Sequence, residues 1–299
     1  MDASAAARLP ARGAWAPELP EAAGFEHTMV NLPGLRMHVA SVGIGDPVVM
    51  LHGFPQHWWE WRSVAPRIAA AGYRVICPDL RGSGWTEAAE PGFTRHVMRE
   101  DLIALLDELS ISEAHVVSHD LGAVVAGQLS YLHPERVRSA VQFAVPPGFM
   151  AFSPKLLPAF AHMPRLLMHR AGSGLDWLFG DHYAAKPLTA DVLDAYLRVQ
   201  QRPEVATSVG PLYSGMIIPE VMRLASGHYR RRHLKPPTSA VFGRLDGPFA
   251  ESTVRRICRG SERLADRFEL GFVERAAHFI VDDAPDAVAD TVLGWIRQH

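Results

Sequence analysis

The segment His115-Val116-Val117-Ser118-His119-Asp120-Leu121-Gly122-Ala123 constrains this chain more than any other. An apolar, β-branched run passes straight into a helix-period run, Leu121, Val124, Val125, Leu129 and Leu132, which His133-Pro134 ends. With no loop between strand and helix the backbone must turn sharply. Such an elbow needs small residues two before and two after its apex, where side chains face neighbouring backbone. An apex at Ser118 would put Val116 and Asp120 on the flanks, both unsuitable; an apex at Asp120 puts Ser118 and Gly122 there, both small. The apex is therefore a carboxylate. A plain helix N-cap at Asp120 would leave the small flanks unexplained.

Further short β-branched runs lie at Val48–Leu51, Arg74–Cys77, Ala140–Phe143 and Ser239–Phe242. None alternates apolar with polar, as expected of parallel strands covered on both faces. Met98, Leu102, Leu105, Leu106 and Leu109 follow a helical repeat between two of them. Strand and helix in alternation predict an α/β fold with a mostly parallel central sheet flanked by helices. Glu26–Leu32 and Arg36–Val42 read as an antiparallel lead-in hairpin turning at Pro33-Gly34. The rhythm stops after Val145. From about Pro146 to Lys235 the pattern is helical and loop-rich, with Thr189 placed to cap a helix carrying Val192, Tyr196 and Val199, stopped by Arg202-Pro203. The expected organisation is a flexible arm over residues 1–24, a core over 25–145 and 236–299, and a helical insertion over 146–235.

Composition closes off other classes. With 299 residues, 48% of them hydrophobic, the chain can bury a large core. Its 30 basic and 32 acidic residues nearly cancel, so no broad field draws nucleic acid. The basic run Arg230–His233 reads as a solvated helix end. Cys77 and Cys258 form no disulfide framework and no metal-ligand spacing, and they suit a reducing cytoplasm. The longest stretch free of Lys, Arg, Asp and Glu, Ser139–Pro154, is 16 residues and contains Pro146-Pro147, too short for a membrane span. The first two dozen residues lack the apolar centre of a signal peptide.

A carboxylate nucleophile narrows the chemistry. Attack on an acyl carbon would form an anhydride, whereas attack on a saturated carbon bearing a leaving oxygen or halogen forms an ester that water can cleave. The helix N-terminus at the elbow favours the ionised carboxylate. The second step needs a base and a group to orient it. His278 follows the strand-like run Phe268–Val273, and Asp246 follows the strand ending at Gly243, so the order is nucleophile, acid, histidine. His52-Gly53-Phe54-Pro55 follows a buried strand; the Phe54 and Leu121 amides are the expected oxyanion hole. Pro55 is a candidate for a cis bond, and His52 for support of the site.

These motifs resemble the α/β-hydrolase superfamily, and within it the epoxide hydrolase branch, on His52–Pro55, Asp79-Leu80-Arg81-Gly82-Ser83-Gly84, Ser118–Gly122, Asp246 and His278. The resemblance covers nearly the whole chain from Glu26 onward. It implies a helical cap over the sheet with the pocket beneath, a small apolar epoxide as substrate, a vicinal diol as product, and no metal or organic cofactor. It also implies two cap groups that hydrogen-bond the epoxide oxygen. Tyr213 fits the second position; the first falls by spacing near Leu156, which cannot donate, leaving Tyr183 or His162 as substitutes. His119, Trp58 and Tyr183 are expected along the pocket, while Tyr196 and Tyr229 read as packing or surface residues. Two other readings stand beside this one: a haloalkane or haloacid dehalogenase using the same aspartate, against which Leu121 counts because it offers a halide no donor, and a hydrolase-fold binding or signalling protein without turnover.

Overall fold

The computed structural model describes residues 16–88, 92–180 and 183–299. Among these, one sheet contains β1 (Glu26–Leu32), β2 (Leu35–Val42), β3 (Asp46–Leu51), β4 (Tyr73–Pro78), β5 (Glu87–Ala88), β6 (Ala114–His119), β7 (Val137–Phe143), β8 (Thr238–Gly243) and β9 (Phe268–Val273). Their order is β1-β2-β4-β3-β6-β7-β8-β9, with the short β5 beside β2. Strands β4, β3, β6, β7, β8 and β9 run parallel to one another, and β4 is antiparallel to β2 on its other side. Every residue of β6 and of β8 is buried, which explains why neither alternates apolar with polar. The lead-in hairpin pairs Leu32 with Leu35 around Pro33-Gly34, where Gly34 takes φ +70°.

Helices α1 (Ala65–Ala70), α2 (Arg95–Glu108) and α3 (Asp120–Leu132) connect the first parallel strands. The α2 start is capped by the Thr94 hydroxyl, which accepts from the Val97 amide. Met98, Leu102, Leu105, Val125 and Leu129 bury α2 and α3 in one apolar layer. Ala65 and Ile68 of α1 share the second layer with Val288, Val292 and Trp295 near the C-terminus. The chain leaves β3 towards β4 on one side and crosses back to β6 on the other. The β3/β6 boundary is thus a topological switch point, where ligands bind beyond the carboxyl ends of the strands. Leu51 pairs with Ser118 there, so the segments carrying Phe54 and Asp120 emerge side by side.

Between β7 and β8 the described residues form no strand beyond an isolated bridge at Leu234, and the α-helices are α4 (Met163–Leu167), α5 (Ala190–Leu197), α6 (Pro203–Ala206), α7 (Val209–Leu212) and α8 (Ile218–Ala225). Beyond β8 come α9 (Glu251–Ile257), α10 (Ile280–Asp283) and α11 (Pro285–Ile296). A wide π-type turn over Tyr213–Ile217 joins α7 to α8. Two local expectations are corrected. Thr189 stands at the start of α5, but its side chain makes no capping bond. Arg202-Pro203 does not simply end a helix; Pro203 opens α6, because its missing N–H is harmless in a first turn.

The expected loose arm also needs correction. Residues 1–15 lie outside the described residues, but residues 16–24 are docked. Ala16, Leu19 and Ala22 pack on the second apolar layer. The Trp85 indole donates to the Pro17 carbonyl at 2.8 Å and the Trp59 indole to the Glu21 carbonyl at 2.9 Å. Large indoles near the surface need both an apolar cover and an acceptor, and this segment supplies both. Among the described residues no helix is long and apolar enough to cross a membrane.

Candidate active site

The turn from β6 into α3 holds Asp120 at φ +44°, a left-handed conformation that a non-glycine residue keeps only when its surroundings impose it. They do so here. The Gly122 amide donates to the His52 carbonyl at 3.0 Å, and a Cβ on Gly122 would lie 2.4 Å from the Leu51 carbonyl oxygen. Ser118 is fully buried beside β7, its hydroxyl 3.4 Å from the Val141 carbonyl. Both flanks of the apex are therefore small for the reason the sequence suggested.

The Asp120 carboxylate keeps 29% of its side-chain surface open, enough to be reached from the cavity above it. Its Oδ1 accepts from the Phe54 amide at 3.0 Å. The Phe54–Pro55 peptide is cis. Among the described residues the Leu121 amide makes no bond to this carboxylate, although the Leu121 side chain lines the cavity. His278 stands between two acids: Nε2 is 3.4 Å from Asp120 Oδ2, and Nδ1 is 3.4 Å from Asp246 Oδ2. Both contacts are longer than a formed hydrogen bond, as is common at catalytic sites without substrate. Asp246 is buried, and the Phe249 amide fixes its other oxygen at 3.0 Å. A Cβ on Gly243 would lie 2.2 Å from the Ala276 carbonyl oxygen, so glycine lets the end of β8 approach the His278 loop.

Burial alone would raise the Asp120 carboxyl, but the His278 imidazole, His119 and the Phe54 amide hold it well below the usual carboxylate range. Burial would lower His278; the Asp120 and Asp246 carboxylates raise it to about 10. In the free protein this pair is an ionised carboxylate and an imidazolium.

The cavity over Asp120 encloses about 100 Å³ and is mostly apolar, with Val124, Met150, Phe160, Leu212 and Phe249 in its walls. Tyr183, Tyr213 and His162 also line it. Burial, reinforced by the Asp120 charge, pushes both tyrosine hydroxyls up, so they are protonated donors. His162 Nδ1 is 3.3 Å from the Tyr183 hydroxyl, and burial lowers this imidazole, leaving it neutral. The Phe279 amide donates to the Tyr183 carbonyl at 3.1 Å, and the Ala185 amide to Asp283, which tie the Tyr183 segment to the His278 loop.

The structure thus brings together Asp120, Asp246, His278, Phe54, Leu121, Tyr213 and Tyr183. It separates three other residues from the cavity. Trp58 is not a pocket wall: it is fully buried against Phe25 and His27, with ring centroids 5.2 and 4.6 Å away. Its backbone amide donates to Asp79, which turns that stretch into the core. His119 points beneath the elbow, because successive side chains at the end of β6 face opposite ways. Its ring meets Glu60 and the His278 carbonyl instead of the cavity. Leu156, the expected position of a polar cap group, does not line the cavity; it is buried behind the wall, in an apolar cluster with Phe242 and Phe249.

His52 does support the site, its Nδ1 reaching the Gly53 carbonyl and its Nε2 accepting from the Leu80 amide. Tyr196 and Tyr229 are buried and hydrogen-bonded, to Asp282 and Glu220 respectively. The sequence reading passed over Glu60 and Glu220. The visible signal for Glu60 is a lone carboxylate among three tryptophans; Glu220 stands on an apolar helix face beside Ile217, Val221 and Leu224.

Residues 46–233 match the alpha/beta hydrolase fold family, and the chain belongs to it. Within that family it is similar to epoxide hydrolases. It is 43% identical over 123 residues to Epoxide hydrolase 2 of Siraitia grosvenorii, a match spanning 40% of this chain and 39% of that protein. It is 27% identical over 286 residues to the Soluble epoxide hydrolase of Corynebacterium sp. (strain C12), covering 89% of this chain and 96% of the relative. An epoxide hydrolase mutant from Vigna radiata superimposes with a TM-score of 0.76 at 25% identity, covering 92% of this chain and 99% of that one.

Proposed function

We propose that this protein hydrolyses small apolar epoxides to vicinal diols through an ester on Asp120, with the helical segment 146–235 as a cap that closes the pocket. The observation that carries the reading is the placing of two protonated phenols, Tyr183 and Tyr213, on the same apolar cavity as an ionised aspartate. An apolar wall favours a substrate of low polarity.

In the first step an Asp120 oxygen bonds to one epoxide carbon as the ring C–O bond breaks. The electron pair goes to the ring oxygen, which takes a proton from Tyr213 or Tyr183. Esterification removes the Asp120 charge, one of the two that raise His278. Its pKa falls, its proton passes to the phenolate left by the first step, and the neutral imidazole becomes available as a base. His278 then takes a proton from water while hydroxide attacks the ester carbonyl carbon, with Asp246 holding the ring. The Phe54 and Leu121 amides stabilise the oxyanion. Collapse breaks the acyl C–O bond, the departing alkoxide takes the proton of the new carboxyl group and leaves as the diol, and Asp120 is again a carboxylate beside protonated His278. Water adds across the epoxide and nothing else is consumed.

The test uses a styrene-oxide-like epoxide. The wild-type protein is expected to release diol, and His278→Gln to stop at an adduct on Asp120, seen by intact mass as a gain of one epoxide. Absence of both diol and adduct would refute the reading, as would clear halide release from short haloalkanes without diol formation.

A further inference from the structure

Trp58-Trp59-Glu60-Trp61 sets a carboxylate among aromatic rings, and the fold leaves the Glu60 side chain 0% exposed. A carboxylate in such a place is destabilising unless its oxygens are paired. Glu60 Oε2 accepts from the Gly53 amide at 2.8 Å, and Oε1 lies 2.6 Å from His119 Nδ1. The opposite nitrogen, His119 Nε2, is 2.8 Å from the His278 carbonyl oxygen. Each ring nitrogen thus faces an oxygen, and an imidazole cation, with a hydrogen on both nitrogens, would satisfy both contacts. Burial works against that cation, but the Glu60 charge raises His119.

Each contact lands on a different part of the site. Gly53 precedes Phe54, whose amide holds Asp120 Oδ1. His119 precedes Asp120, and His278 is the base of the proposed reaction. Neither Glu60 nor His119 lines the cavity, so neither touches substrate. We propose that Glu60 and His119 are positioning residues, a buried ion pair under the nucleophile that locks the Phe54 loop, the Asp120 elbow and the His278 loop into one register. The inference rests on the epoxide-opening reading for its kinetic consequences, but not for its charge state.

Two measurements test it. In 15N spectra of the imidazole groups, wild-type His119 is expected to stay protonated on both nitrogens from pH 6 to 9, and to lose one proton in Glu60→Gln. A singly protonated His119 in the wild-type protein across that range would overturn the proposal, even if every variant failed to fold. The second measurement takes single-turnover rates of adduct formation and decay by intact mass, well below each unfolding midpoint. Both steps are expected to slow by roughly ten- to a hundredfold in Glu60→Gln, since misplacement of about 1 Å away from the chemistry costs on that order. The double variant E60Q/H119Q should be no slower than the slower single one, because the pair acts as a unit. Wild-type rates in the folded variants, or losses that multiply in the double variant, would refute it. Should the wild-type protein form no adduct with any epoxide, the functional reading fails and the imidazole spectra alone decide this proposal.

Discussion

Gly122 shows how much of the site depends on one missing methyl group. Alanine there would drive Cβ to 2.4 Å from the Leu51 carbonyl oxygen, a contact with backbone that no rotamer relieves. Gly122→Ala should cost about 1–3 kcal/mol in urea unfolding and slow adduct formation as the elbow shifts. Gly127, five residues along α3, is the control, since a Cβ there meets nothing within 4 Å. Gly127→Ala should stabilise by roughly 0.5–1 kcal/mol, because alanine is the better helix former, with activity unchanged. Equal effects at the two positions would contradict this account of the elbow. The same contrast explains what the sequence made legible. Asp120 could be identified because the demands on its backbone act within five residues, on Ser118 and Gly122. Trp58 could not be placed, since an indole facing a cavity and one facing the core leave the same letter, and only the Asp79 contact from 21 positions away turns it inward.

At the level of elements, the parallel strands were readable as short β-branched runs without alternation, and the long helices by their period and their stops. The helical segment between β7 and β8 was not, for it consists of short turns whose positions are set by distant partners. Tyr183 lies where it does because the Phe279 amide holds its carbonyl; no local pattern announces that. Helix α8 is placed the same way. Glu220 on α8 is ion-paired with Arg95 of α2, and the Tyr229 hydroxyl accepts from Arg95 at 2.6 Å while donating to Glu220 at 2.6 Å. Glu220 is only 5% exposed, so removing it alone strands a partly buried guanidinium. Glu220→Leu should therefore lower unfolding stability by about 3–5 kcal/mol, and the double variant Arg95→Met with Glu220→Leu should recover most of the loss. Additive losses in the double variant would show that the two side chains stabilise separately and that α8 is held by its apolar face alone.

For the molecule as a whole, the buried ionisable groups oppose one another across the pH scale. His27, His57 and His115 are lowered by burial to about 4, against an ordinary value of 6.5. The unfolded chain then binds more protons than the folded one between those values, so stability falls as pH drops from 6.5 to 4. For fully buried His57 the effect is on the order of 3 kcal/mol. Asp79 extends the loss: burial works against its charge, but His38, followed by His57 and His52, brings it down to about 2 from 3.8. Its contribution is present above 3.8 and goes as pH falls through 2. His278 acts in the other direction. Raised to about 10, it binds its proton more tightly when folded, so its stabilisation is complete below 6.5 and lost as pH climbs through 10. His119 and the buried Cys77 thiol, both raised, lean the same way. The two arms meet near 6.5. Denaturant midpoints measured from pH 4 to 10 should pass through a maximum close to that value. His57→Gln should flatten the acid arm and leave the alkaline slope in place, and His278→Gln should flatten the alkaline arm. A monotonic profile, or His57→Gln flattening the alkaline arm as well, would mean that these imidazoles do not govern the stability of the fold.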